Sequence, residues 1–269
     1  MHAYVVNLAR SLDRRAHITA ELKKTDLVDY EFIAAVDGRN LDLSDTSIID
    51  PSFLTKVVFP EGTAGCALSH IDIYGKIIAA GLDKALVIED DVTLPADLGS
   101  VAEAAAEHLT GAEVALLSVD CPDPCKLSQE GAVPLPSSRL LALPIDISQP
   151  RSTGAYVITR EACERMVKSL LPVQVQADAW WFFYREGLLD RVRCVAPLLV
   201  LKTPNLTSTI GSYSLGKGVR ARLVEPLMGR KIPLLHQALS YRRQRILRQW
   251  ARVELVDTPF VEMPSRLGL

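Results

Sequence analysis

The sequence predicts an α/β protein with a mostly parallel, doubly wound sheet. Short apolar segments that are typical of buried strands alternate along the chain with segments whose apolar residues recur at helical spacing. Turn signals, such as Asp37-Gly38 and Gly81, separate these segments. The chain has 269 residues, of which 48% are hydrophobic, so it is long enough to bury a large α/β core.

The sequence pattern of the first part of the chain predicts three strands and two helices. The first helix has Ile18 and Leu22 at i, i+4 spacing and Ser11 as its N-cap. Residues 40–60 contain two prolines and are predicted to be irregular. The expected strands are 3–8, 30–36 and 84–88, and the expected helices are 11–22 and 64–80.

The second half continues the alternation after a long proline-containing loop at 120–150. The simplest domain organisation is one domain at 1–215 followed by a basic, helical C-terminal extension at 216–269. The expected strands are 113–119, 154–159 and 191–201, and the expected helices are 98–109, 161–171 and 178–188.

The composition excludes several classes of protein. Lys and Arg total 30 and Asp and Glu total 32, which gives a formal charge of −2. These values exclude a disordered chain and give no reason to expect a nucleic-acid partner. The five cysteines are odd in number and scattered, which favours reduced thiols over a disulfide framework. Cys121 and Cys125 lack two further nearby ligands for zinc.

The N-terminal segment does not have the pattern of a secretory signal. It has no basic region before its apolar run, and the run ends after a few residues. No apolar stretch reaches the roughly 20 residues that a membrane-spanning helix needs. We therefore expect a cytoplasmic protein.

Three adjacent carboxylates follow the strand predicted at 84–88. Ligands of open α/β sheets bind outside the carboxyl ends of the strands, where Glu89, Asp90 and Asp91 are expected. Residues i and i+2 of an extended chain point the same way, so Glu89 and Asp91 are candidate ligands for Mg²⁺ or Mn²⁺. Such a cation could bridge the phosphates of a nucleotide diphosphate. The alternative is a solvated acidic turn that caps the next helix.

Several segments, taken in order, resemble glycosyltransferase family 25, the lipopolysaccharide and lipooligosaccharide glycosyltransferases related to collagen galactosyltransferases. The resemblance covers about residues 3–215. The segments that carry it are VNLARSLDRR at 6–15, AVDGR at 35–39, GCALSH at 65–70, VIEDDV at 87–92 and, more weakly, STGAYVI at 152–158.

The resemblance implies a GT-A-type fold and an inverting transfer of a hexose, galactose or glucose, from a UDP-sugar to a glycan acceptor. It also implies that Asp91 is the principal metal ligand and that Glu89 assists it or contacts the ribose. The sequence departs from the family pattern at 152–156, which reads STGAY, and at 176–178, where Gln-Ala-Asp replaces Pro-x-Asp.

Nine residues are candidates for binding the donor nucleotide. Some follow the first or second strand, where arginine suits contact with phosphate. Others lie in the helix before the acidic strand or within the acidic triplet. The alternatives are surface charges, an ordinary turn and a structural histidine. The candidates are Asn7, Arg10, Arg14, Asp37, Gly38, Arg39, Ser69, His70 and Asp90.

Asp178 is the candidate catalytic base. Inverting transfer needs a group that takes the proton of the acceptor hydroxyl, and a carboxylate is the usual choice. Aromatic residues at 180–184 follow Asp178, and aromatic faces commonly pack on sugars. The alternative is that Asp178 is an N-cap and the aromatic residues belong to the core.

The extension contains a basic, partly amphipathic segment that is predicted to be helical. Residues 216–252 hold ten Lys and Arg against one Glu, a net charge of +9. Such a segment suits the anionic cytoplasmic face of the inner membrane, where a lipid-linked acceptor would lie. The alternative is a helix that packs on the domain.

Two other functions remain open. One is a metal-dependent phosphohydrolase that uses Glu89 and Asp91, and the other is a non-catalytic glycan-binding relative of the family. No serine-hydrolase pattern or glycine-rich phosphate loop is present in the sequence.

Overall fold

A computed structural model of the protein describes residues 1–121, 123–203, 206 and 252–260. The helices in these ranges are α1 (Leu12–Leu22), α2 (Pro51–Lys56), α3 (Pro60–Ala79), α4 (Leu98–Glu107), α5 (Arg160–Ser169) and α6 (Trp180–Arg185), with a 3-10 turn at Gly38–Asn40. The strands are β1 (Ala3–Asn7), β2 (Tyr30–Ala34), β3 (Lys84–Glu89), β4 (Val92–Thr93), β5 (Glu113–Leu116), β6 (Cys125–Ser128), β7 (Val133–Leu135), β8 (Arg139–Ala142), β9 (Ala155–Thr159), β10 (Arg191–Ala196), β11 (Leu201–Lys202) and β12 (Val253–Val256).

Eight of these strands form one sheet in the order β2-β1-β3-β9-β5-β10-β8-β7. Strand β1 is parallel to β2 and β3, and β5 is parallel to β10, whereas β9 and β8 run in the opposite direction. Strand β9 is therefore antiparallel to both of its neighbours, β3 and β5. The predicted α/β class is confirmed, and the large sheet agrees with the GT-A-type fold that the resemblance implies.

Helices cover both faces of the sheet, as the predicted double winding requires. Leu86 and Ile88 of β3 pack with α1 and α4, whereas Ala85 and Val87 pack with α3, α5 and α6. This alternation follows from the two-residue period of a strand. The sheet therefore lies between two apolar layers, and its carboxyl-terminal edge is left for the site.

The segment 40–60, predicted to be irregular, contains helix α2. Asp50 caps this helix by accepting a hydrogen bond from the amide of Ser52, and Pro51 occupies its first turn. Phe53 is fully buried in a small cluster with Ile49. A six-residue helix spans fewer than two turns, so its apolar residues cannot recur at i, i+3, i+4 and i+7, the spacing that indicates a helix.

The segment 120–150, predicted to be a loop, contains β6, β7 and β8. Strands β7 and β8 are antiparallel neighbours at the edge of the large sheet, while β6 pairs in parallel with β12. The prediction of a helical extension at 216–269 is therefore wrong for 253–256. Most of the predicted basic helix, residues 216–251, lies outside the described residues.

The structure also bears on membrane-spanning helices and on the state of the cysteines. Within the ranges that the structure describes, no helix is both long enough and apolar enough to cross a bilayer. All five cysteines are free thiols, and four of them are buried.

Candidate active site

A cleft of about 460 Å³ lies at the carboxyl ends of β1, β2 and β3. Because these strands are parallel neighbours, the residues that follow each of them meet at one edge of the sheet. All the predicted donor-binding and metal-binding residues line this cleft, and Asp178 does not. They are Asn7, Arg10, Arg14, Asp37, Gly38, Arg39, Ser69, His70, Glu89, Asp90 and Asp91.

Asp90 joins the end of β1 to the end of β3. Its Oδ2 accepts a hydrogen bond from Nδ2 of Asn7 at 2.6 Å, and its Oδ1 lies 2.5 Å from the Arg14 guanidinium. Burial raises the pKa of Asp90 to about 6, although Arg14 and Asn7 oppose this change. Since both oxygens are engaged inside the protein, Asp90 and Asn7 shape the cleft.

Arg14 also binds Asp91. The same guanidinium nitrogen lies 2.9 Å from Oδ2 of Asp91, and Arg14 itself is only 7% exposed. Arg14 therefore balances the charge of two neighbouring carboxylates. This arrangement differs from the free phosphate-binding arginine that the sequence suggested.

Asp91 has an oxygen that fits a divalent cation. Its Oδ1 is buried and has no hydrogen-bond partner among the described residues. Hard carboxylate oxygens are the ligands that Mg²⁺ and Mn²⁺ prefer. The residues present therefore fit the cation that the family implies.

Glu89 turns towards α3 and β9 rather than towards Arg14. Its Oε1 accepts a hydrogen bond from Oγ1 of Thr153 at 2.6 Å and lies 3.5 Å from Nε2 of His70. Burial alone would raise the pKa of Glu89, but His70, Lys202 and Thr153 outweigh it and hold the pKa below its ordinary value. The carboxylate is therefore ionised at neutral pH. Glu89 and Asp91 both line the cleft but contact different neighbours.

The loop after β2 rests directly on the start of α3. A Cβ atom added to Gly38 would lie 1.8 Å from the carbonyl oxygen of Glu61, and one added to Gly65 would lie 2.7 Å from that of Val36. Ser69 completes this contact, because its hydroxyl donates to the Gly65 carbonyl and accepts from the Val36 amide. Gly38 and Ser69 therefore position the loop.

Two arginines lie at the mouth of the cleft and share one carboxylate. Nε of Arg10 lies 2.8 Å from Oδ2 of Asp37, and a terminal nitrogen of Arg39 lies 2.6 Å from the same oxygen. Hydrogen bonds from Arg39 and Arg10 hold the pKa of Asp37 well below its usual range. The side chains of Arg10 and Arg39 are 38% and 64% exposed, so donors remain available to a phosphate.

Asp178 interacts electrostatically with Lys202 and Glu89 but comes from a separate element. Its Oδ2 accepts a hydrogen bond from the Ser152 amide at 3.3 Å. Burial raises the pKa of Asp178, and the positive charge of Lys202 and the Ser152 amide only partly offset it. The N-cap of α6 is Ala179, so Asp178 does not have that capping role.

The aromatic residues after Asp178 belong mainly to the core. Trp180, Phe183 and Tyr184 are buried, and Nε1 of Trp180 donates to the Ser152 carbonyl at 3.0 Å. The expectation that the whole aromatic run offers faces to a sugar is wrong for these three. Trp181 and Phe182 are half-buried.

Lys202 is a site residue that the sequence did not indicate. Strand β11 pairs with β4 and places Lys202 opposite Val92, and Nζ lies 3.3 Å from Oδ2 of Asp120. Burial lowers the pKa of Lys202, but the carboxylates of Asp91, Asp120 and Glu89 outweigh it and raise the pKa. A single lysine after an apolar segment carries no pattern, and only the pairing of distant strands brings it to the cleft.

Comparisons with known proteins show what the chain is similar to. The family model for glycosyltransferase family 25 (LPS biosynthesis protein) matches residues 1–181. A glycosyltransferase 25 family member of Aedes aegypti is 36% identical over 98 residues, which cover 34% of this chain and 16% of the relative. Procollagen galactosyltransferase 1 of Danio rerio is 33% identical over 96 residues, which cover 33% of this chain and 16% of the relative.

A relative from Mus musculus, the inactive glycosyltransferase 25 family member 3, is also 33% identical over 96 residues, again 16% of its length. This chain therefore spans about a sixth of the length of these relatives. A solved Bacillus anthracis structure with bound sucrose, whose description as a glucose-1-phosphate thymidylyltransferase is provisional, has a TM-score of 0.39 and 16% identity, covering 75% of this chain and 88% of that one. That likeness is too distant to support a functional argument.

Proposed function

Since the chain belongs to glycosyltransferase family 25, we propose that it transfers a hexose, galactose or glucose, from a UDP-sugar to a lipopolysaccharide- or lipooligosaccharide-type glycan, with inversion at the sugar carbon. The observation that carries this proposal is the cleft at the strand ends, which combines a cation-competent carboxylate with basic residues. A nucleoside diphosphate needs both kinds of group.

The diphosphate would lie between the mouth of the cleft and Lys202. Arg10 and Arg39 offer guanidinium donors at the mouth, and Lys202, which also lines the cleft, offers an ammonium group. Asp91 and Glu89 would hold Mn²⁺ or Mg²⁺, which supplies positive charge to the departing diphosphate when bound. Lys202 adds charge to the same leaving group.

Asp178 is the proposed base. Its raised pKa brings it closer to the working pH than an ordinary aspartate, which favours proton transfer. In its ionised form Asp178 would take the proton of the acceptor hydroxyl while that oxygen attacks the sugar carbon. The backbone amide of Ser152 holds the carboxylate in place.

The acceptor and the location form a separate part of the proposal. The net charge of +9 over residues 216–252 favours contact with the anionic cytoplasmic face of a membrane. A lipid-linked glycan on that face is the acceptor that suits this charge. The protein would then be cytoplasmic and peripheral to the inner membrane.

The test is to incubate the full chain with a panel of UDP-sugars and Mn²⁺, with and without candidate acceptors, and to measure the release of UDP. We expect acceptor-dependent release from UDP-galactose or UDP-glucose. Release of inorganic phosphate without acceptor would instead indicate a phosphohydrolase. Glycan binding without UDP binding or release would indicate a non-catalytic member, as the name of the mouse relative describes.

A further inference from the structure

A thiol, an imidazole and a carboxylate converge beside the cation-competent carboxylate of the cleft. Cys66 and His70 are four residues apart on α3 and so lie on one face of the helix, opposite Glu89 at the end of β3. One ligand atom from each residue lies within 4.8 Å of the other two. Within the described ranges, no other His, Cys, Asp and Glu residues form such a group of three or more.

The histidine is oriented as a metal ligand would be. His70 is only 1% exposed, and its Nδ1 lies 2.7 Å from the hydroxyl of Tyr156, which in turn donates to Tyr74. Nε2 is buried, has no hydrogen-bond partner among the described residues, and lies 3.5 Å from Oε1 of Glu89. Ligating histidines characteristically use one ring nitrogen for such a supporting contact and leave the other for the metal.

We propose that Cys66, His70 and Glu89 bind a single borderline-soft divalent cation of the Zn²⁺ class, with the fourth coordination position open to the cleft. Sulfur, imidazole nitrogen and carboxylate oxygen are the zinc ligands of proteins, whereas Mg²⁺ and Mn²⁺ favour oxygen. All three residues line the cleft, which supplies the open side. This inference goes beyond the proposed sugar transfer and holds whether or not that transfer occurs.

Only small movements of the three side chains are needed to bring their ligand atoms to the distances of a tetrahedral zinc site. Zinc bonds of about 2.3 Å to sulfur and about 2.0–2.2 Å to nitrogen and oxygen would hold the ligand atoms about 3.3–3.6 Å apart in a tetrahedral site. Oε1 of Glu89 lies 3.5 Å from Nε2 of His70 and 4.0 Å from Sγ of Cys66. On binding, a metal–sulfur bond forms and the thiol proton passes to solvent.

Glu89 is common to this site and to the Mn²⁺ or Mg²⁺ site proposed above. The two sites differ in their other ligands, which are Cys66 and His70 in one and Asp91 in the other. Substitutions of Cys66 and of Asp91 therefore distinguish them.

The test uses Co²⁺ as a spectroscopic stand-in for Zn²⁺ on the full chain freed of metal by a chelator. We expect one Co²⁺ per chain, a thiolate-to-cobalt charge-transfer band, and displacement of Co²⁺ by Zn²⁺. Cys66→Ser should abolish the band. Asp91→Asn should keep the band, and so should the control Cys121→Ala, which removes a thiol elsewhere in the protein.

A second variant keeps the proposal falsifiable if Cys66→Ser does not fold. Tyr156→Phe removes only the hydroxyl that supports His70, and loss of such a partner weakens metal affinity by about tenfold or more. Co²⁺ affinity that is unchanged in Tyr156→Phe would overturn the proposal. So would wild-type protein that binds Co²⁺ without a thiolate band, or a band that persists in Cys66→Ser and is lost in Cys121→Ala.

Discussion

At the scale of single residues, Arg14 holds Asp90 and Asp91 of the acidic triplet together. Its guanidinium contacts both Asp90 and Asp91, and its side chain is 8% exposed. Removing one partner of a buried ion pair leaves an uncompensated charge, whereas the pair itself contributes little net stability. Loss of Arg14 would therefore leave Asp90 and Asp91 without a compensating positive charge.

We expect Arg14→Met to lower the free energy of unfolding by about 3–5 kcal/mol, because the buried carboxylate of Asp90 and the partly buried one of Asp91 would lose their cation. Urea unfolding followed by circular dichroism measures the change. Arg15→Met on the same helix is the matched control, because Arg15 is exposed and packs over the ring of Phe32. Equal stability of the two variants would contradict the role assigned to Arg14.

Asp178→Asn should abolish turnover and leave the affinity for the UDP-sugar unchanged, because only the base is removed. The pH dependence of wild-type turnover should also report the ionisation of Asp178. A raised pKa means that Asp178 takes up its proton earlier on acidification, so activity is present above that pKa and is lost below it. Asp72→Asn, on the exposed face of α3, is the control. Near-normal turnover in Asp178→Asn would remove Asp178 from the mechanism.

At the scale of elements, the close contact between the loop after β2 and α3 depends on two glycines. A Cβ on Gly38 would overlap the backbone carbonyl of Glu61, and backbone cannot move aside as a flexible side chain can. The loop carries Asp37 and Arg39 into the cleft. The position of the loop therefore couples the packing of α3 to the proposed donor site.

We expect Gly38→Ala to lower stability by about 1–3 kcal/mol, as overpacking does, and to weaken UDP binding by displacing Arg39. Thermal unfolding and a UDP titration measure the two effects. Gly75→Ala is the matched control, because nothing lies within 4 Å of the atom that it adds. Wild-type stability and UDP affinity in Gly38→Ala would show that the loop does not need this contact.

The elements also show what the sequence could and could not predict. Strands β1 and β3 and helix α3 were predictable because each carries a continuous apolar run or a helical period, and the acidic triplet follows from the end of β3. The direction of β9 was not, because a strand's own pattern is the same in parallel and antiparallel pairing. Lys202 was missed because a pairing between strands far apart in sequence places it, and no local pattern encodes that pairing.

At the scale of the whole molecule, the near-neutral charge conceals two opposite regions. Residues 216–252 carry +9, residues 253–269 carry −2, and residues 1–215 therefore carry −9. The acidic region contains the proposed cation site, and the basic region suits an anionic surface.

We expect the triple variant Arg242→Gln, Arg243→Gln and Arg245→Gln to bind anionic vesicles roughly 100-fold more weakly, at about 1 kcal/mol per charge. Co-sedimentation with phosphatidylserine vesicles measures this. Truncation is unsuitable, because β12 lies beyond the basic segment and pairs with β6.

The control for this experiment removes three exposed charges from the body of the chain, through Lys23→Gln, Lys24→Gln and Lys56→Gln. Equal loss of vesicle binding in the two triple variants would mean that total charge, and not the basic segment, attracts the membrane.

Calorimetric titration with UDP tests whether the cleft binds a nucleoside diphosphate through Asp91 and Lys202. We expect one UDP per chain in the presence of Mn²⁺, with affinity about tenfold weaker or more in Asp91→Asn and Lys202→Met, because each loses a contact to the diphosphate or its cation. Lys168→Met, an exposed change on α5, should bind as the wild type does. No UDP binding by the wild type, or equal affinity in all four proteins, would contradict the account.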